Sequence, residues 1–409
     1  MIPLDEALAI VLHESHALPA EAIALAEAVG RVLAVDVRAD ADLPPFDRAA
    51  MDGYALRAGA AAEPPGLLTV IGELRAGEWP SRAVGPGEAV RIMTGAPLPE
   101  GASAVQPVEQ TRALEDGRRV EILTGVAPGA HVAPRGSEVR SGDVVLARGR
   151  RLDAAAIGVL AAVGVSHPLV ARRPRVAVLP TGDELVPVDA VPLPGQIRNS
   201  NGPALAALAG AAGAQVRVLG AAADRKAELA AAIAEGLAAD VLVVCGGVSA
   251  GDYDLVEPVL LEAGASVFFT GVAIKPGAPL VFGRRGETLV FGLPGNPVSA
   301  QVTGELFVRP CLLRLQGAAA VARPRVRVCL LAPLANRSGR TSHVPVRVRR
   351  DGERLLARPV RSAGSGDLVA HAKANALVVI EPSRARVEAG ESAEAVLLES
   401  FLEDDGEPL

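Results

Sequence analysis

Arg175-Val-Ala-Val-Leu-Pro-Thr-Gly-Asp-Glu-Leu185, Val241-Leu-Val-Val-Cys-Gly-Gly-Val-Ser-Ala-Gly-Asp-Tyr-Asp254 and Leu289-Val-Phe-Gly-Leu-Pro-Gly-Asn-Pro-Val-Ser299 share one design. Each is a short apolar run that ends in a polar, glycine- or proline-rich turn. Runs this short and this continuous read as strands buried on both faces. The chain between them alternates. Asn199-Ser200-Asn201-Gly-Pro203 caps a helix over 204–211, a strand follows over 215–219, and 226–237 is an amphipathic helix. Residues 255–263 read as a further helix, and 266–269 and 280–282 as strands. Strand and helix in alternation predict a doubly wound α/β sheet. In such a sheet the turns at the carboxyl ends of the strands gather around one crevice, where ligands bind.

Composition sets the outer limits. A chain of 409 residues exceeds one ordinary domain, and roughly two to four are expected. Half of the residues are hydrophobic but only 2% are aromatic, so the cores must pack small aliphatic side chains. A net charge of −6 and a pI near 5.7 offer no field for nucleic acid or an anionic membrane. The cysteines, Cys245, Cys311 and Cys329, are too few and too scattered for a disulfide framework or a zinc knuckle, which suits a reducing cytosol. Acidic Asp5-Glu6 stands where a secretory signal carries basic residues, so a cytoplasmic location is expected. The uncharged stretch 154–171 contains Ser166-His167-Pro168 and reads as a buried helix and turn, not a membrane span.

Outward from the α/β stretch, residues 3–36 predict a helix from Leu4 and a second over 19–29, stopped by Gly30. Asp42-Leu-Pro-Pro-Phe-Asp47 is rigid and extended because residues before proline avoid the helical region. A series of short β-like runs with turn signals then continues to about residue 136, and it delivers Thr94 into the turn Thr94-Gly-Ala-Pro97. The apolar helical pattern returns after it. We therefore expect an N-terminal α+β domain made of 1–42 and 137–172, interrupted by a small β domain at 43–136. The α/β domain occupies 173–318, and a C-terminal, barrel-like β domain 319–409.

The crevice has its own chemistry. Gly246-Gly247, with Ser249, suits an anion through backbone N–H groups and a hydroxyl, although Gly-Gly alone serves equally as a tight βα turn. Asp183, Glu184, Asp224, Asp252 and Asp254 fall at or just past strand ends on the same edge. Carboxylates crowded beside a phosphate site need a cation, and oxygen ligands favour Mg²⁺. Only three of the 41 basic residues are lysine, and Lys275 stands in the restricted turn Lys275-Pro-Gly, as a point charge for an anion or as a surface group. Pro294 and Pro297 stiffen the turn that leads to Ser299, which caps a helix or contacts an anion. The six histidines show no metal-ligand spacing, and no nucleophilic triad can be nominated.

The segments Phe46-Asp-Arg-Ala-Ala-Met-Asp-Gly-Tyr54, Thr94-Gly-Ala-Pro-Leu-Pro-Glu-Gly101, Pro180-Thr-Gly-Asp-Glu-Leu185, Gly246-Gly-Val-Ser-Ala-Gly251, Lys275-Pro-Gly277 and Gly292-Leu-Pro-Gly-Asn-Pro-Val-Ser299 resemble, in order, the signature series of the molybdopterin molybdenumtransferase (gephyrin E-domain) family. The resemblance runs over nearly the whole chain. It implies an elongated four-domain homodimer that takes adenylylated molybdopterin and molybdate, uses Mg²⁺, and releases AMP and molybdenum cofactor. Asp52 and Thr94 match activity-linked positions contributed by the partner subunit. Glu184 matches a functional acid, and Asp224 and Asp254 match the acids linked to Mg²⁺ and the phosphoanhydride. Lys275 and Ser299 match positions around the molybdate site, with Arg340 and Ser365 added from the last domain. Molybdopterin adenylyltransferase and apo-molybdoenzymes are the partners such a role implies.

Three positions depart from the family pattern. Ala278 stands where the turn usually reads a second lysine, Ala49 replaces the serine before Ala-Met-Asp-Gly, and Ser342-His343 occupies the aromatic-bearing segment after Gly-Arg. These changes bear on oxyanion affinity before they bear on fold. Two other readings stand beside the transferase: an adenylyltransferase, whose single domain resembles 175–315, and a non-catalytic molybdopterin-binding paralogue or scaffold.

Overall fold

The protein is described here by a computed structural model over residues 1–60, 65–247 and 255–399. The chain forms two compact units, one built from 36–147 and 154–167 and the other from the rest. The first expected helix is present as Leu4–Glu14 (α1). The second is not: 19–29 contains a short strand, Ala20–Ala22, and one 3-10 turn, Leu25–Glu27. The apolar spacing there serves strand pairing instead, since Ala20–Ala22 lies antiparallel to Leu169–Ala171. The expectation of a buried helix and turn over 154–171 is corrected in the same way, because its last three residues are that partner strand.

The smaller unit is mainly β. Its principal strands are Gly53–Leu56 (β1), Gly66–Leu74 (β2), Glu88–Ile92 (β3), Ala104–Pro107 (β4), Thr111–Leu114 (β5) and Arg119–Ile122 (β6). They form one sheet in the order β4-β1-β3-β2-β6-β5, in which only β2 and β3 are parallel. Gly53 is required by this sheet, because a Cβ there would lie 1.9 Å from the Gln106 carbonyl oxygen. The same unit holds the helix Ala154–Ala162 (α2).

In the larger unit, Arg175–Pro180 (β7), Gln215–Val218 (β8), Val241–Cys245 (β9), Ser266–Thr270 (β10), Val281–Arg285 (β11) and Thr288–Leu293 (β12) form a six-stranded sheet ordered β8-β7-β9-β12-β11-β10. The first four strands are parallel, and β11, antiparallel to both of its neighbours β12 and β10, gives the doubly wound sheet a mixed edge. Helices Asn201–Ala211 (α3), Lys226–Gly236 (α4), Val256–Glu262 (α5), Pro297–Thr303 (α6) and Arg309–Leu315 (α7) complete this region. Alternation along β7 explains the two layers. Val176 and Val178 join a core that includes α1, α3 and α7, whereas Ala177 and Leu179 join a second core with α4 and α5. Burial on both faces is why residues 176–179, Val241–Cys245 and residues 289–293 are apolar throughout.

Arg325–Leu330 (β13), Thr341–Asp351 (β14), Arg354–Pro359 (β15), Ala376–Ile380 (β16) and Ser392–Leu397 (β17) close into a barrel, because β14 pairs with both β15 and β16 while β17 links β13 to β16. Val328, Val346, Val378 and Ala395 fill its interior. The three cysteines are free, as expected from their spacing. Among the described residues, no helix is long and apolar enough to cross a membrane.

Candidate functional site

The carboxyl ends of β7, β9 and β12 are tied together by backbone hydrogen bonds. Thr181 N–H donates to Cys245 O at 2.9 Å, Gly246 N–H to Leu293 O at 3.0 Å, and Gly182 N–H to Ala222 O at 3.1 Å. Beyond them opens a cavity of about 440 Å³, lined by Thr181, Glu184, Asp224, Gly246, Gly247, Pro294, Pro297 and Ser299, among others. The crevice expected from the three turns is therefore formed. One detail is corrected: the Gly246 N–H is spent inside the sheet, so this glycine supplies shape, not a donor. Its φ is +111°, and a Cβ would meet the Thr181 carbonyl oxygen at 2.5 Å. What the close approach brings to the cavity is the buried Thr181 hydroxyl, which has no hydrogen-bond partner. A threonine at the end of a buried strand, just before Gly-Asp-Glu, was the sequence signal for it.

Acidic groups meet at one side. Asp224 N–H donates to Asp183 Oδ1 at 3.2 Å. Partial burial raises the Asp224 carboxyl above the ordinary aspartate value, and the charges of Asp183 and Glu184 push it further. That is the electrostatic signature of a site short of positive charge. No group of three metal-ligating side chains exists among the described residues. Ser249, Asp252 and Asp254, which sequence reasoning placed at this edge, lie outside them.

A second cavity, of about 460 Å³, shares Pro279 and Ser299 with the first. Lys275, Ala278, Arg340, Ser342, His343 and Ser365 line it. Its walls come from segments far apart in sequence. Ile274–Lys275 runs parallel to the start of β14, pairing Lys275 with Ser342, and the Val298 N–H at the head of α6 donates to Ser365 O at 3.0 Å. Buried Asn336 holds the intervening loop: its Nδ2 donates to Arg340 O at 2.8 Å, and its Oδ1 accepts from the Ser338 and Ser342 hydroxyls at 2.7 and 2.8 Å. Asn336 was missed from sequence, where it looks like a loop residue.

In the smaller unit, Thr94 donates both its backbone N–H and its hydroxyl to Asp52 Oδ1, each at 2.7 Å. The two bonds, backbone first, hold the exposed Asp52 carboxyl below the usual aspartate value. Asp52 and Thr94, 42 residues apart, thus form one anionic element.

Comparison with known proteins accords with this geometry. Three family models match in order: MoeA N-terminal region (domain I and II) over 2–164, probable molybdopterin binding domain over 177–314, and MoeA C-terminal region (domain IV) over 327–398. Curated molybdopterin molybdenumtransferases from Staphylococcus aureus (strain Mu50) and Bacillus subtilis (strain 168) are each 34% identical. The alignments cover 98% and 97% of this chain, and 96% and 94% of theirs. The chain belongs to the MoeA family. A MoeA crystal structure from Pyrococcus horikoshii OT3 superposes with a TM-score of 0.83 at 30% identity, covering 97% of this chain and all of that one.

Of the positions carried over from the family, the larger unit brings Glu184, Asp224, Gly246, Gly247, Pro294, Pro297 and Ser299 to the first cavity, and Lys275, Arg340 and Ser365 with Ser299 to the second. Ser299 sits in both and is only 4% exposed. Asp52 and Thr94 belong to the other unit.

Proposed function

We propose that this MoeA-family chain is a molybdopterin molybdenumtransferase acting in molybdenum cofactor biosynthesis, with adenylylated molybdopterin and molybdate as substrates. The observation that carries this reading is the pair of cavities meeting at Ser299: one edged by Glu184 and Asp224 beside one lined by Lys275 and Arg340. In the first, the Gly246 turn and the Thr181 hydroxyl position the phosphoanhydride. Water cleaves one P–O bond of that linkage, and AMP leaves. In the second, Lys275 and Arg340 hold molybdate as an oxyanion, so that it lies next to the pterin dithiolene that receives it.

Asp224 and Asp254 are the acids we assign to Mg²⁺, and the crowding of Asp224 by Asp183 and Glu184 fits a cation there. When bound, the ion offsets the charge of the anhydride. The Asp52–Thr94 element completes the site from the partner subunit of a homodimer. The four-domain division at 1–42 with 137–172, 43–136, 173–318 and 319–409 belongs to this proposal, as do a cytoplasmic location and delivery of the product to apo-molybdoenzymes.

Reconstitution with adenylylated molybdopterin, molybdate and Mg²⁺ tests it. AMP release together with activation of an apo-molybdoenzyme is expected. Tight pterin binding with neither outcome would favour the non-catalytic paralogue, the reading that Ala278 supports by leaving the oxyanion cavity one ammonium short. An adenylyltransferase leaves the matched regions 2–164 and 327–398 without a role.

A further inference from the structure

Thr303 ends α6, is fully buried, and is not among the residues that line either cavity. Its hydroxyl donates back along the helix, to Ser299 O at 2.8 Å and Ala300 O at 3.1 Å. Its methyl meets a different segment. A Cβ added to Gly277 would lie 2.4 Å from Thr303 Cγ2 and 3.4 Å from Ser299 O, so the Lys275-Pro276-Gly277 turn is seated on the helical turn between Ser299 and Thr303. That turn is anchored on both sides of the contact: Lys275 pairs with Ser342 of β14, and Val272 N–H donates to Ala278 O at 2.9 Å. Between these anchors Gly277 rests on Thr303. Both contacts depend on one torsion. Oγ1 and Cγ2 branch from the same Cβ, so a hydroxyl fixed on carbonyls one turn back fixes the methyl as well. The chain then changes to a π-helical turn, Gly304–Val308, and the hydroxyl adds its bonds where the regular i→i+4 ladder ends.

We propose that Thr303 is a positioning residue for the oxyanion: it sets how closely the Lys275 turn approaches Ser299, the residue common to both cavities, without touching either substrate. This rests on the molybdate reading of the second cavity. Threonine suits the task because it carries a hydroxyl and a methyl on one stiff torsion. Serine would keep the bond to Ser299 O and leave a gap over Gly277. Valine would keep the methyl and set a carbon where Ser299 O accepts a hydrogen bond.

The test is steady-state molybdenum insertion by the full-length protein, with molybdate and adenylylated molybdopterin each varied in turn. Thr303→Ser should raise the molybdate KM roughly 10–100-fold, as for a displacement on the order of 1 Å, with the KM for adenylylated molybdopterin unchanged. That split marks lost placement of one ligand, which general loosening of the fold would not produce. Gly277→Ala pushes the turn off α6 and should raise the same KM. Combined with Thr303→Ser, its added Cβ enters the space of the missing methyl, and the molybdate KM should fall below that of either single variant. A molybdate KM that is unaltered in Thr303→Ser, that rises together with the KM for adenylylated molybdopterin, or that worsens further in the double variant, while Lys275→Ala selectively loses molybdate, would overturn the inference and leave the site reading standing. No insertion by the unsubstituted protein, or a molybdate KM indifferent to Lys275→Ala, would remove both.

Discussion

Asp240 shows how one side chain can staple strands. It accepts from Arg172 Nη1 at 2.7 Å, Arg172 Nη2 at 3.0 Å and the Arg175 backbone N–H at 2.7 Å, at the entry to β7 and β9. Burial alone would raise its pKa; the Arg172 and Arg175 contacts outweigh that and lower it from 3.8 to about 2. A depressed carboxylate contributes stability above its unfolded pKa and loses it as pH falls through the folded one. Asp240→Asn should thus cost about 2 kcal/mol at pH 7, with the difference from the parent shrinking between pH 4 and pH 2, as chemical denaturation at stepped pH would show. At the other end of the chemistry, Asp52→Asn keeps an acceptor oxygen for both Thr94 donors but removes the negative charge. AMP release should fall by about 10²-fold or more with the melting temperature little changed; ordinary turnover would take Asp52 out of the reaction.

Turns and strand ends, not single groups, shape the crevice. Gly246→Ala forces a Cβ against the Thr181 carbonyl at a φ of +111°, and should cost about 1–3 kcal/mol in stability along with affinity for AMP. Gly220→Ala is the control, since a Cβ there meets nothing within 4 Å, and it should leave both within error. The barrel segment is built differently. Lys275, Arg340 and Ser365 reach one cavity because a two-residue strand, Ile274–Lys275, adds itself to β14 and because α6 bonds to the 365 loop. Neither contact leaves a periodic trace. The turns of the α/β sheet were readable since local glycine, proline and carboxylate patterns mark strand ends; the Asn336 scaffold was not, because its partners are fixed only by barrel closure. The helix expected over 19–29 failed for a related reason: a short apolar segment takes the structure that its neighbour offers, and here that neighbour is the strand Leu169–Ala171.

At the scale of the molecule, the proposed homodimer draws Asp52 from one subunit and Lys275 from the other. Light scattering should then give twice the chain mass. Mixing inactive Asp52→Asn with inactive Lys275→Ala protein should regenerate roughly a quarter of the sites, as random exchange of a two-fold dimer requires; no recovery after subunit exchange would place Asp52 and Lys275 in the same chain's site. The sequence by itself determined the strand-end turns, the alternation that makes an α/β sheet, the β character of residues 43–136 and the acids and lysine of the crevice, since these depend on local backbone preference and on burial along one element. Only the tertiary structure decided which donors remain unpaired. Gly246 gives its N–H to Leu293 while Thr181 keeps its hydroxyl unbonded, and His343 is buried with both ring nitrogens unmatched. Hydrogen-bond satisfaction is a property of what surrounds a group on every side, and those surroundings come from residues tens to hundreds of positions away.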